Sequence, residues 1–187
     1  AYAIVVRLVG SEMCIRDRGM LDSNFVNPTG LPDVNHYSTA RDLAKLSISM
    51  IINFPEHYSL YKEKEFTFDD IRQLNRNSLL WQDDSVDGIK TGHTSDSGYC
   101  LAGSAIRGET RFVSIVLNSA SEKTRIRDTR RLLDYAFRFY QTKTIVKAYE
   151  PLTTVDVWAG IDEKVSLGLG SDLKITLQRN KLSLIHI

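Results

Sequence analysis

A lysine, a threonine and a glycine stand together at Lys90, Thr91 and Gly92, after an apolar run and directly before His93. A lysine ammonium and a threonine hydroxyl can together hold a carboxylate, and a glycine lets a peptide backbone approach a strand closely. The same tripeptide also suits the end of a hairpin that carries a surface lysine. The residue types alone permit both a carboxylate-binding strand and an ordinary hairpin end.

The segments around the tripeptide predict three strands and a long helix. Residues 85–92, 99–107 and 110–118 read as strand-like runs, and Gly108 and Glu109 form a short hairpin signal between the last two. Ser121 can cap a following amphipathic helix. Its apolar stripe is predicted to comprise Ile126, Arg130, Leu133, Phe137 and Tyr140, widened by Leu132, Ala136 and Phe139. The pattern predicts an antiparallel sheet with a helix on one face and the tripeptide on the first strand.

A second helix is predicted upstream, over residues 38–52, where Ser38 or Thr39 can cap the first turn. Its predicted face comprises Leu43, Ala44, Ser47, Ile48 and Ile51, and Asn53 and Pro55 end it. Residues 23–38, rich in Asn, Pro and Gly, predict an ordered loop before the helix. Asn27 in this loop and Asn75 further along are expected to bind loop backbone rather than substrate.

Composition and charge exclude several kinds of partner. The chain has 187 residues, with 24 Lys and Arg against 23 Asp and Glu, so its net charge of +1 does not favour nucleic acid. The basic face of the long helix is interrupted by acidic residues and is expected to be solvated; its arginines are Arg125, Arg127, Arg130, Arg131 and Arg138. Two cysteines and four unclustered histidines predict no metal site, and no cofactor is implied.

Short alternating runs after residue 144 predict a second, all-β unit that stops before it can close a sheet. The two ends of the chain fit poorly with what lies between them. Residues 1–18 and 181–187 resemble translated adapter read-through, and we expect both segments to be non-native. No segment is long and apolar enough to span a bilayer.

Several stretches, in order along the chain, resemble the serine-type D-alanyl-D-alanine carboxypeptidases, the low-molecular-mass penicillin-binding proteins. Lys-Thr-Gly is one of three motifs of serine enzymes that open β-lactams and D-alanyl peptides. The resembling stretches are residues 25–44, 58–81, 86–105, 132–140 and 157–169. The resemblance implies an α+β fold: part of a β-lactamase/transpeptidase-like domain over residues 19–143, an antiparallel sheet with packed helices, followed by an incomplete β-rich domain over residues 144–180.

The resemblance and the residue chemistry imply the same roles at the site. Lys90 would face the substrate carboxylate and support proton movement, and Thr91 would hydrogen-bond that carboxylate. Gly92 would let the substrate lie against the strand, and the backbone N–H of His93 would be one donor of an oxyanion hole. Arg76 would be a further carboxylate anchor, because its planar fork can bind two oxygens.

Each role has a structural alternative. Lys90 alone would be read as a surface lysine, and the His93 imidazole as a loop side chain. For Arg76, the alternative is that it braces Asp69, Asp70 or Asp87. The adjacent pair Asp83 and Asp84 is expected to form a solvated turn rather than a catalytic pair; these two stand in the stretch WQDDS.

The nucleophile that the resemblance calls for is missing from the chain. Ser-x-x-Lys occurs at Ser59–Lys62 and at Ser171–Lys174, and Ser-x-Asn occurs nowhere. The chemistry needs the serine at a helix start, with the lysine one turn later and close to the Lys-Thr-Gly strand. Ser59 precedes an alternating strand-like run and Ser171 lies in a turn of the β unit, so we reject both.

The resemblance implies a carboxypeptidase that removes the terminal D-alanine from peptidoglycan stem peptides, outside the cytoplasmic membrane, with β-lactams as trapping analogues. Without the serine, this chain is expected to be inactive and to expose an apolar sheet face. One alternative is a non-catalytic module that binds D-alanyl peptides. A serine β-lactamase is a third hypothesis, disfavoured by the β-rich unit. Members of the resembled family often end in an amphipathic membrane anchor.

Overall fold

The structure is a computed structural model that describes residues 15–179. Residues 1–14 and 180–187, which hold most of the two terminal segments predicted to be non-native, lie outside the described residues. The described chain divides into two compact units, residues 15–106 with 111–135, and residues 107–110 with 136–179. Across residues 15–179, no helix combines the length and hydropathy that crossing a bilayer requires.

Helix α1 of the larger unit runs over Ala40–Asn53, close to the predicted bounds. Thr39 caps it, because its Oγ1 accepts a hydrogen bond from the Asp42 amide at 3.2 Å. The predicted apolar face is only partly correct, since Ser47 is buried but Ile48 is 47% exposed. The helix Pro55–Tyr58 (α2) and a 3₁₀ turn over Ser59–Lys62 follow.

Asp42 fixes the preceding loop on α1. Its fully buried carboxylate accepts hydrogen bonds at 2.8 Å from the Asp22 amide and the Ser23 hydroxyl, and one at 3.2 Å from the Lys45 ammonium. Burial alone would raise the pKa of Asp42, but these donors outweigh it and hold the pKa below its ordinary value. The loop therefore reaches α1 in one defined arrangement.

A small exposed hairpin and a short helix lead to the main sheet. The hairpin comprises β1, Glu65–Phe68, and β2, Ile71–Leu74, and the helix α3 is Leu79–Gln82. The main sheet has the order β3, β4, β5, with β3 at Val86–Thr94, β4 at Gly98–Arg107 and β5 at Thr110–Ser119. The three predicted strands and the turn at Gly108, where φ is +60°, are confirmed.

Helix α4, Glu122–Phe139, matches the predicted stripe only in part, because Leu133 and Phe137 are buried as predicted but the rest of the stripe is shifted. Arg125, Thr129 and Leu133 are buried at intervals of four residues, whereas Arg130 is exposed. Gly103 on β4 allows the close approach, since a Cβ there would lie 2.8 Å from Cγ2 of Thr129. The prediction that Arg125 belongs to a solvated basic face is wrong: its side chain is only 2% exposed.

The smaller unit is all-β. It holds two antiparallel pairs, β6 with β9 and β7 with β8. The strands are Tyr140–Val146 (β6), Pro151–Asp156 (β7), Lys164–Gly168 (β8) and Leu173–Gln178 (β9). Most of its described side chains are exposed, Trp158 and Ile161 among them, because a unit this small can bury only a small share of its surface.

Candidate functional site

The Lys-Thr-Gly tripeptide lies on β3, at the edge of the described three-stranded sheet. On its inner side, Lys90 pairs with Ala102, and Gly92 pairs with Cys100 of β4. The outer side of β3 has no strand partner within residues 15–179. An edge strand offers unpaired backbone groups to an added extended peptide.

The four predicted residues on β3 differ in exposure. Lys90, Gly92 and His93 are exposed, and Thr91 is 8% exposed. The Lys90 ammonium donates to the Thr91 carbonyl at 2.6 Å and has no carboxylate partner in the described chain. The His93 imidazole lies against the Tyr99 ring, with centroids 4.0 Å apart. These positions suit a side-chain cation at Lys90 and a backbone role for His93.

An ion pair and its hydrogen bonds fix the start of β3. Arg111 on β5 contacts Asp87 through two nitrogens, at 2.7 and 2.9 Å, and also donates to the Ser104 hydroxyl at 2.7 Å. Tyr58 of α2 donates its hydroxyl to Asp87 at 2.8 Å. Burial, assisted by the Asp87 carboxylate, raises the pKa of Tyr58 to about 12. Sequence analysis missed this network, whose members are far apart in the chain.

Two asparagines place Arg76 beside β3. The Asn75 side chain donates to the Glu63 carbonyl at 2.9 Å, which confirms its predicted role in tying loop backbone. Asn77 is 1% exposed and donates to the Gly88 carbonyl at 3.1 Å. Between them, Arg76 points away from the core and is exposed. The alternative that it braces Asp87 is wrong, because Arg111 and Tyr58 hold that carboxylate.

Arg125 brings a buried guanidinium to the tripeptide. Its Nη1 donates to the Gly92 carbonyl at 3.3 Å, and its Nη2 contacts Glu122 at 3.1 Å. Arg76 and Arg125 line one open groove of about 400 Å³. The groove brings Arg76 together with Arg125, which contacts β3 at Gly92, and only Arg76 was predicted. The one available signal for Arg125 was the four-residue spacing to Thr129 and Leu133.

The D-alanyl-D-alanine carboxypeptidase family of serine peptidases matches residues 13–121, more than half of the chain. The chain belongs to this family. The C-terminal domain of penicillin-binding protein 5 matches residues 140–187. The resemblance and the α+β fold expected from the sequence are therefore confirmed.

Named relatives agree with the family assignment. The D-alanyl-D-alanine carboxypeptidase DacA of Escherichia coli is 41% identical over 165 residues, which cover 88% of this chain and 41% of the relative. Penicillin-binding protein 5 of Haemophilus influenzae has a solved structure with a TM-score of 0.82 and 37% identity, covering 94% of this chain and 52% of that one. The chain spans about half or less of the length of these relatives.

A solved structure of penicillin-binding protein D2 from Listeria monocytogenes, in its cefotaxime-bound form, is also similar. Its TM-score is 0.65 at 32% identity, over 70% of this chain and 54% of that one. The similarity thus extends to a relative whose structure was solved with a bound β-lactam.

The chain also has an apolar groove of about 390 Å³, which the tripeptide helps to line. Helix α1 forms one wall with Leu43, Leu46 and Met50, and β3 forms the other with Ile89 and Thr91. Its lining is mostly aliphatic.

Neither Ser-x-x-Lys match has the geometry of a nucleophile. Ser59 opens the exposed 3₁₀ turn, and its hydroxyl donates to the Glu56 carbonyl at 2.6 Å. Ser171 lies in an exposed bend before β9 in the smaller unit. Ser59 and Lys62 are both exposed on a four-residue 3₁₀ turn, and Ser171 begins no helix, so neither serine has its lysine placed beside it in a shielded site. No cluster of three or more metal-type side chains occurs in residues 15–179.

Proposed function

We propose that this chain is part of a serine-type D-alanyl-D-alanine carboxypeptidase and supplies the wall that binds the substrate carboxylate. The main observation in support is that Lys90, Thr91 and Gly92 lie on an edge strand, with the guanidinium of Arg125 at the Gly92 carbonyl. The ammonium of Lys90 and the hydroxyl of Thr91 bind the terminal carboxylate, and Arg76 is the further anchor. The backbone N–H of His93 completes an oxyanion hole with a donor from the nucleophile segment.

The glycine at position 92 favours the proposal that a peptide ligand lies against the strand. A Cβ added to it would meet only Cys100, at 3.8 Å, which is an ordinary van der Waals contact. The fold itself therefore does not need glycine here, and its backbone φ is not positive. A close-lying peptide does need it, because a methyl group would hold the peptide backbone off the strand.

The chain as printed binds but does not hydrolyse. Acyl transfer needs a serine activated by a nearby base, and the Ser-x-x-Lys matches lie at exposed turns. In the intact parent, the serine would be acylated and then deacylated by water, and β-lactams would stop at the acylated state. We place the parent outside the cytoplasmic membrane, where its peptidoglycan substrate lies, with membrane association through a C-terminal anchor, and the domain boundary near residue 143.

A binding experiment on the printed chain tests the carboxylate-binding wall. A fluorescent peptide ending in D-Ala-D-Ala should bind reversibly, and fluorescent penicillin should leave no adduct that survives denaturing electrophoresis. Gly92→Ala should weaken peptide binding at least about tenfold while unfolding stability stays within about 0.5 kcal/mol. Lys143→Ala, an exposed lysine of the smaller unit, is the matched control. Equal peptide affinity of the Gly92→Ala variant would contradict the proposal.

A single-chain chimera separates the carboxypeptidase from the alternative, a non-catalytic binding module. In the chimera, residues 20–179 of this chain are fused after the part of E. coli DacA that this chain does not match. The assay measures release of D-alanine from a D-Ala-D-Ala peptide. If this chain is one half of a carboxypeptidase, the chimera releases D-alanine, the Lys90→Ala change abolishes that release, and the Lys143→Ala change does not affect it. A chimera that folds and binds peptide without turnover favours the binding module.

A further inference from the structure

The groove lined by Arg76 and Arg125 carries more positive charge than one carboxylate needs. Its charged lining is five cationic side chains and one carboxylate: Arg76, Lys123, Arg125, Arg127, Arg130 and Glu122. The chain as a whole is nearly neutral, at +1, so this concentration of charge is local. Local positive potential in a concave surface favours an anionic ligand.

Several of these cations lack an anionic partner within the described chain. Arg76 and Lys123 have no hydrogen-bond or ion-pair partner among residues 15–179, and Arg130 is bonded to the neutral amide of Gln82. Arg125 is 2% exposed, yet its Nε has no hydrogen-bond partner. A buried donor without a partner is costly, and guanidinium groups suit carboxylate oxygens in pairs.

The groove is continuous with the substrate strand. Arg125 lines the groove and donates to the Gly92 carbonyl at 3.3 Å. A peptide seated on β3 would therefore have this groove at the end of the Lys-Thr-Gly segment. One wall of the groove is the first part of α4, which carries Arg125, Lys123 and Arg127; the other wall includes Arg76 and Gln82. Lys123 and Arg127 lie one turn apart and are exposed, and Arg127 also contacts the neighbouring Asp128 carboxylate at 3.0 Å.

We propose that this groove is a second carboxylate subsite, which selects D-alanyl peptides that carry a carboxylate in addition to the C-terminal one. This rests on the proposed function of the Lys-Thr-Gly strand. Lys123, Arg127 and Arg130 are the specificity-determining side chains, and Arg125 joins the subsite to the strand. The substrate class is an acidic stem peptide or an acidic leaving group of a cross-linked one.

The test compares two acetylated peptides ending in D-Ala-D-Ala, with Glu-Glu or Gln-Gln in the two preceding positions. Calorimetry on the full chain at low salt should give the Glu-Glu peptide about tenfold tighter binding, the effect of one charge-assisted hydrogen bond. The double variant Lys123→Gln with Arg127→Gln should remove that preference. The matched control, Lys143→Gln with Lys147→Gln, loses the same charge in the smaller unit and should keep it.

The outcomes separate the two proposals. Equal affinity for both peptides, or a preference that survives in the groove variant, overturns the subsite and leaves the function intact. A preference lost equally in the control is a net-charge effect and also overturns the subsite. Binding of neither peptide overturns both proposals. Circular dichroism shows whether each variant is folded. If the double variant unfolds, the single change Arg130→Gln replaces it and should reduce the preference for the Glu-Glu peptide.

Discussion

The ion pair between Arg111 and Asp87 should hold the start of β3, and with it the Lys-Thr-Gly segment, in place. Asp87 lies three residues before Lys90, and Arg111 reaches it from the far edge of the sheet. Arg111→Met removes the guanidinium, and Asp87→Asn removes the carboxylate with little change of shape. The double variant removes both charges together.

The expected magnitudes follow from the exposure of the pair. Breaking a fully buried ion pair costs about 3–5 kcal/mol, because one charge remains buried without its partner. Here the two side chains are 26% and 20% exposed, so water reaches both. We expect about 2–3 kcal/mol for Arg111→Met and about 2 kcal/mol for Asp87→Asn. The double variant should cost only about 2 kcal/mol, because it leaves no lone charge.

Urea unfolding of the four proteins at pH 7 measures these values. The sum of the two single losses should exceed the loss of the double variant by about 2–3 kcal/mol, and most of this coupling should persist at 1 M salt because the pair is only partly exposed. Fluorescent D-alanyl peptide should also bind more weakly to the single variants. Additivity within about 0.5 kcal/mol would show that the pair acts as an exposed one and does not fix β3.

Three further changes test the surroundings of the site. The pKa of Tyr58, raised to about 12, favours the protonated phenol in the folded state, so its stabilisation is complete below pH 10 and is lost as the pH rises through 12. In urea unfolding, the free energy of unfolding should fall by about 1–2 kcal/mol between pH 9 and pH 12, a value reduced because solvent screens the partly exposed site, and Tyr58→Phe should not show this fall. An equal fall in the wild-type chain and in Tyr58→Phe would contradict the assignment to Tyr58. Gly103→Val places side-chain atoms against Cγ2 of Thr129, which would lie 2.8 Å from the added Cβ, and should lower the free energy of unfolding by about 2–3 kcal/mol. Gly108→Ala has open space around it and should cost about 1 kcal/mol through its positive φ alone; equal free-energy losses for the two variants would refute the packing argument. Asn77→Ala leaves the Gly88 carbonyl without its donor at a buried position, and a loss of about 1–3 kcal/mol is expected; a loss below about 0.5 kcal/mol would show that water replaces the amide.

Local signals predicted the elements that carry the site. The cap at Thr39, the turn at Gly108 and the three strands depend on neighbouring residues, so the sequence contains their determinants within short windows. The all-β character of the smaller unit was visible in the same way. The resemblance added the roles of the Lys-Thr-Gly residues, which the structure places on one edge strand.

Long-range pairings could not be predicted in this way. Asp87, Arg111 and Tyr58 are separated by 24 and 29 residues, and any of several acidic and basic residues fits the same pattern. Arg125 was misassigned because helical periodicity separates apolar from polar faces and expects an arginine to be solvated. Its burial depends on a carbonyl 33 residues away, at Gly92.

The groups proposed to bind substrate depend on contacts within one unit of the chain. Asp87 fixes the start of β3, Asn77 fixes the loop beside Arg76, and Arg125 contacts the strand at Gly92. None of these contacts uses either of the rejected Ser-x-x-Lys matches. Recognition of the carboxylate should therefore be separable from acyl transfer, and peptide bound by this chain should be released on dilution, with an affinity that does not change with incubation time.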